Sequence, residues 1–179
     1  MKKGFTLLEI LVAMGVLAIL GTVIAQVFFT TTRTNTKVEI SKDVKQNGDF
    51  AMEVMSRIVR NAASVTTVCS DTGTATDTIT VDNLDGGITT FECVLDGDIT
   101  RIASTSAGRT DYLTSSSLTL GGTDCTGATL QFVCMSPVDG PTTVAIAFTL
   151  AQKGTPVDQF EKASASFQTT VAIRNISIP

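Results

Sequence analysis

The side chain most in need of a chemical partner is Glu9, the one charge in a run from Gly4 to Thr32 that is otherwise uncharged. A carboxylate one turn into an apolar helix is costly unless it finds a counter-charge. The positive end of the helix dipole offsets part of that cost, and a free amine close by would offset more. The bland alternative is a carboxylate that snorkels to the membrane surface, and the residue alone leaves both readings open. The other reactive groups are Cys69, Cys93, Cys125 and Cys134, all beyond the apolar run. No pair of them has C-x-x-C spacing, which argues against zinc. An even count in an exported domain suggests two disulfides, with three connectivities available. The expected pairing is Cys125–Cys134, closing a short loop at a hairpin, with Cys69–Cys93 tying the helix end to the sheet. Four reduced cysteines, some of them buried, are the bland alternative.

Other chemistry is scarce. The chain has no histidine and no tryptophan, and its one tyrosine is Tyr112. It lacks a Ser/His/Asp or Cys/His set, a phosphate-binding glycine loop and a histidine pair for metal. The expectation is no catalytic residues, no metal and no cofactor, so a protein that is not an enzyme. The Asp82/Asp85 and Asp96/Asp98 turns offer oxygen ligands to a hard cation, but neither fits a twelve-residue calcium loop and both read as ordinary turns. Asn175-Ile176-Ser177 fits a glycosylation triplet that carries little weight alone. With 17 acidic against 13 basic residues the formal charge is −4. That argues against a general nucleic-acid surface, which needs clustered Lys and Arg.

The elements that position Glu9 and the cysteines follow from hydrophobic patterning. Ile10 to Phe29 is a block of twenty residues dominated by Leu, Ile, Val, Ala and Phe. As a helix it spans roughly 30 Å, the thickness of a bilayer core. Lys2 and Lys3 before it predict a cytoplasmic N-terminus. The block is longer than an ordinary signal peptide's and passes without a turn into an amphipathic pattern. Ile40, Val44, Gly48, Ala51, Met55, Ile58 and Ala62 recur at helical spacing, with Lys37, Glu39, Lys42, Asp43, Lys45, Glu53, Arg57 and Arg60 on the other faces. One helix is expected over about 5–63, with Gly48 a place where it can bend and Val65 starting a new element.

From Ser64 onward strand and turn signals alternate. Thr78–Val81, Ile88–Leu95 and Asp98–Ile102 read as a meander, with Asp96-Gly97 as a two-residue hairpin turn. Ser117–Leu120, Ala128–Met135, Thr142–Ala151 and Ala165–Ile173 are further strands. The stretches 103–111 and 136–141 read as loops available for recognition. A long helix followed by strands implies an α+β fold, the helix packed on a C-terminal antiparallel sheet domain.

Gly4-Phe5-Thr6-Leu7-Leu8-Glu9 resembles the cleavage and methylation motif of type IV pilins and type II secretion pseudopilins. The motif with its apolar helix covers about a third of the chain. The resemblance implies a leader at 1–4, cut by a prepilin peptidase between Gly4 and Phe5, and N-methylation of Phe5. It places Glu9 at the fifth mature residue, where a carboxylate sets register between subunits against the new Phe5 amine. Many major pilins carry a proline where this chain has Gln26, so the resemblance leans to a minor pilin or pseudopilin. The meander, Leu113-Thr114-Ser115 and the run from Phe167 to Asn175 look like the J-type pseudopilin branch. The implied organisation is a membrane and assembly half of the helix at 5–32, an amphipathic half at 33–63 and a β-rich soluble domain at 64–179. The implied partners are other pilin subunits, the prepilin peptidase, the inner-membrane assembly machinery and the lipid bilayer. A single-pass inner-membrane precursor would become part of an extracellular or periplasmic filament. A filament-borne adhesin or DNA-uptake module is the alternative.

Overall fold

The computed structural model of the chain describes residues 6–154 and 163–174, apart from the side chains of Arg33 and Thr36. Gly4, Phe5 and the Asn175 triplet therefore lie outside the described residues.

Helix α1 (Leu7–Arg60) is continuous over 54 residues, about 80 Å at roughly 1.5 Å per residue. Asn61 ends it, leaving helical geometry at φ −94°, ψ 6° while its N–H still reaches the carbonyls of Arg57 and Val59. Arg57 and Arg60 in the last turn complement the negative end of the helix dipole. The helix stops a little earlier than periodicity suggests. Ala62 is already in strand β1 (Ala62–Val65), paired with Asn83 and buried. Two alanines look like helix in a sequence, and the sheet overrides that preference.

The remaining strands are β2 (Thr74–Thr76), β3 (Ile79–Asn83), β4 (Ile88–Asp96), β5 (Ile99–Ser106), β6 (Arg109–Tyr112), β7 (Leu118–Thr119), β8 (Gln131–Met135), β9 (Thr143–Gln152) and β10 (Ser164–Ala172). They form two antiparallel sheets, one in the order β1-β3-β4-β5-β6 and the other β10-β9-β8-β2, with β7 also paired to β9. The fold is α+β, with the helix on the sheets. The two sheets meet near β7, where the Leu120 N–H donates to the Thr100 carbonyl at 3.0 Å and the Thr100 hydroxyl donates to the Gly121 carbonyl at 2.8 Å.

Two details differ from the sequence-based expectation. The 103–111 stretch is not a loop: β5 runs on to Ser106 and returns as β6 through Ala107 (φ 51°) and Gly108 (φ 75°). Its Ala, Ser and Thr residues lack the apolar alternation that marks a strand. The β4–β5 turn is built on Gly97-Asp98, one residue later than expected, with Asp96 opposite Ile99 and Gly97 at φ 69°. A glycine suits that position because L-residues rarely adopt positive φ. The 136–141 stretch lies between β8 and β9 as a loop.

The second half of α1 buries Val44, Ala51, Met55 and Val59 in a core shared with Ile79, Phe91, Phe132, Ile146 and Leu150. Val59 is buried while Ile58 is only half-buried. Gly48 does not interrupt the helix. It lets α1 approach β10 so closely that a Cβ built there would lie 2.0 Å from Cζ of Phe167. The Phe167 ring is in turn stacked on Phe148, centroids 5.1 Å apart. Gly48→Ala should therefore destabilise the protein. Overpacking costs about 1–3 kcal/mol, against about 1 kcal/mol gained in helix propensity. The check is the urea midpoint of the full chain in detergent, which should fall in Gly48→Ala and recover when Phe167→Leu is added. A raised midpoint for Gly48→Ala alone would contradict the close approach.

Candidate functional site

The first half of α1 is the candidate assembly site. The helix opens on Thr6 as N-cap (φ −78°, ψ 149°), whose hydroxyl accepts from the Glu9 N–H at 3.3 Å. Thr6-Leu7-Leu8-Glu9 thus has the T-x-x-E spacing of a capping box, and Glu9 occupies the third helical position. Its carboxylate sits in the first turn, where the free N–H groups and the dipole favour negative charge by about 0.3–1 kcal/mol. The residue is exposed, and among the described residues no cation pairs with it. The structure therefore holds Glu9 at the very start of the rod.

From Leu7 to Phe29 fifteen large apolar side chains project outward and are exposed, Leu7 at 83% and Phe29 at 65%. No described residue of the chain covers them. The helix is long and apolar enough to cross a membrane, and none of its most apolar window is buried. Removing that surface from water is worth on the order of 20 kcal/mol, more than the typical stability of about 5–15 kcal/mol of a whole domain. The rod needs lipid or other apolar rods around it.

The threonines fit that environment. Thr22 donates to the Ile19 carbonyl at 2.8 Å, and Thr30, Thr31 and Thr34 donate to the carbonyls of Gln26, Val27 and Thr30 at 2.9 Å. Thr32 donates to Phe28 at 3.0 Å. Each hydroxyl is satisfied by the helix itself, so the polar boundary at Thr30–Thr34 can sit at a membrane surface without unpaired donors.

The cysteines form two disulfides, but with the other partners. Cys69 joins Cys134 (Cα–Cα 4.8 Å) and Cys93 joins Cys125 (Cα–Cα 5.6 Å). The expected Cys125–Cys134 and Cys69–Cys93 pairing fails because 125–134 is not a hairpin. Cys125 begins a 3-10 turn (Cys125–Gly127) that lies against β4, whereas Cys134 is inside β8. The segment after β1 runs along β8, with Ser70 bridged to Met135 and Thr74 paired with Cys134, and this brings Cys69 to Cys134. Asp124 caps the 3-10 turn, and the Thr126 hydroxyl holds its carboxyl below the ordinary carboxylate range.

The acidic turns are occupied by protein partners. Asp82 accepts from the Ser64 hydroxyl at 2.5 Å, Asp85 accepts from the Gly87 N–H at 2.9 Å, and Asp96 pairs with Arg101 at 2.6 Å. Asp98 pairs with Lys153 at 2.7 Å, a contact that links the β4–β5 turn to the end of β9 and keeps the Asp98 carboxyl below its usual range. Sequence reasoning missed Gly48, whose wide tolerance in a helix gives no hint of the ring beneath it. It also missed the T-x-x-E cap, which the spacing of Thr6 and Glu9 does display.

Residues 1–25 match a family described as the prokaryotic N-terminal methylation motif. No curated protein and no solved structure matches the chain. The motif, the uncovered apolar helix and the two disulfides together support a type IV pilin-like, membrane-anchored precursor that later enters a filament, with a structural role. The motif implies assembly with other pilin subunits and processing by a prepilin peptidase.

Each disulfide closes a long loop, with sequence separations of 65 and 32. Replacing Cys93 and Cys125 together by Ser should lower stability by about 2–4 kcal/mol. Non-reducing peptide mapping of the wild-type chain checks the connectivity: peptides joining Cys69 to Cys134 and Cys93 to Cys125 are expected, and a Cys125–Cys134 peptide would contradict it.

Proposed function

We propose that the chain is a minor pilin or pseudopilin, a structural subunit of a type IV pilus or type II secretion-like filament. The observation that carries this reading is the uncovered apolar rod of α1 with a lone carboxylate, Glu9, at its start. Residues 1–4 are the leader, with Lys2 and Lys3 keeping the N-terminus cytoplasmic. Cleavage between Gly4 and Phe5 leaves a new amine, methylated on Phe5, four residues before Glu9 in the sequence.

The precursor rests in the inner membrane through 5–32. The amphipathic half of α1, from 33 to its end at Arg60, is held on the β-rich domain that follows, which remains outside the lipid. On assembly the rod leaves the bilayer and enters a bundle of sister rods, an environment as apolar as the one it leaves. Within that bundle the Glu9 carboxylate of one subunit meets a Phe5 amine, its own or a neighbour's. Charge complementarity at low dielectric fixes the axial register because a mismatched subunit would carry a buried, unpaired charge. Gln26, in place of the proline found in many major pilins, supports the minor-subunit reading.

Glu9→Ala separates insertion from assembly. The variant should insert in the membrane as wild type does, since a charge is removed from an apolar segment, but its incorporation into filaments should fall at least tenfold. Fractionation of membranes and sheared filaments measures both. Normal incorporation of Glu9→Ala would contradict the register role.

A further inference from the structure

The outward face of the β1-β3-β4-β5-β6 sheet is polar, and its side chains stand in rows. Residues directly opposite one another on antiparallel strands share a face. The register therefore sets Thr80, Thr90, Thr105 and Thr110 side by side across β3, β4, β5 and β6. The other face of these strands carries Ile79, Val81 and Phe91, buried in the core. Neighbouring strands lie about 4.8 Å apart, so the row offers one hydroxyl per strand at that interval. The Thr80 and Thr90 hydroxyl oxygens are 3.1 Å apart, as are those of Thr105 and Thr110.

The adjacent row sets Glu92, Ala103 and Tyr112 side by side. The Thr105 hydroxyl donates to Glu92 Oε1 at 3.3 Å, and among the described residues no cation pairs with that carboxylate. Tyr112, the one tyrosine of the chain, is 43% exposed. The Arg101 guanidinium lies over one face of its ring, 4.0 Å from the centroid. Arg101 is itself fixed: it pairs with Asp96 at 2.6 Å, donates from Nε to the Thr114 carbonyl at 3.0 Å, and its side chain is only 12% exposed. The ring is thus held from one side and open to solvent on the other. Every second residue along a strand shares the face, which adds Asp82 and Asp96 to Glu92 and leaves Arg101 as the single cation. The face is acidic.

We propose that this face binds an extended, amine-bearing polysaccharide laid across the strands, with one sugar stacked on Tyr112 and an amine at Glu92. A pyranose turns a layer of C–H groups to the negative face of an aromatic ring. Its hydroxyls donate to and accept from threonine hydroxyls, which can do both. In an extended polysaccharide the sugar units follow one another at an interval close to the strand spacing, so the chain meets one threonine per unit. An ammonium group supplies the counter-charge that Glu92 lacks, through a hydrogen bond stronger than a neutral one. An acidic glycan is repelled by the same carboxylates. The proposal concerns the folded domain alone and stands independently of the filament reading.

The test is calorimetric titration of the full chain, held in a detergent without sugar headgroups, with three probes: a hexamer of β-1,4-linked glucosamine, its N-acetylated counterpart, and hexalysine. The glucosamine hexamer should bind, the N-acetylated hexamer at least tenfold more weakly, and hexalysine more weakly than the glucosamine hexamer. Glu92→Gln, at a half-buried surface position, should bring the glucosamine hexamer down to the affinity of its N-acetylated counterpart. Tyr112→Leu should weaken both sugars at least tenfold, whereas Tyr112→Phe, which keeps the ring, should bind as wild type does. Equal binding of hexalysine and the glucosamine hexamer would reduce the face to a charge effect and overturn the proposal. So would the absence of sugar binding, or glucosamine binding unchanged in Glu92→Gln.

Discussion

The structure depends on one mismatch between chain and solvent: an apolar rod, Leu7 to Phe29, that no other described residue covers. A folded domain hides such surface because water penalises it. Here it is displayed on every side of a helix, so no single partner face suffices. Only a medium that surrounds the rod, a bilayer or a bundle of similar rods, satisfies it. Within such a medium one carboxylate is conspicuous, and Glu9 stands at the rod's first turn, where the helix dipole favours negative charge. The hydrophobic surface supplies the drive to associate but no register, since greasy contact is non-directional. A charge is directional where greasy contact is not, and the proposed register rests on Glu9 for that reason.

The rest of the fold serves to carry that rod at a fixed angle. Helix α1 is seated on the second sheet by the approach of Gly48 to Phe167, with Phe148 stacked behind the ring. The two disulfides then close the domain at separate places. Cys69–Cys134 ties the segment after β1 to β8, and Cys93–Cys125 ties β4 to the 3-10 turn before β8. The Asp98–Lys153 pair and the Thr100 contacts join the sheets to one another.

Much of this was legible in the residues. The twenty-residue apolar block, the amphipathic stripe and the Asp-Gly turn marked the helix and most strands to within a few residues, because burial imposes period 3.6 or period 2 on the chain. The lone Glu9 was conspicuous for the same reason. What escaped lay where the pattern carries no signal. The β5–β6 hairpin is written in Ala, Ser and Thr, whose burial on one face is too slight to show. The disulfide partners depend on which strands lie side by side, a long-range property that four cysteine positions do not encode. The role of Gly48 required knowing which ring lay beneath it.

In the proposed function the rod becomes a filament element once the segment before Phe5 is removed. The most direct measurement is the intact mass of the chain recovered from assembled filaments, compared with that of the chain retained in the membrane when peptidase is absent. The filament form should begin at Phe5 and carry one extra methyl group, while the retained form should begin at Met1. Filaments containing the chain with Met1-Lys2-Lys3-Gly4 still attached would contradict the account.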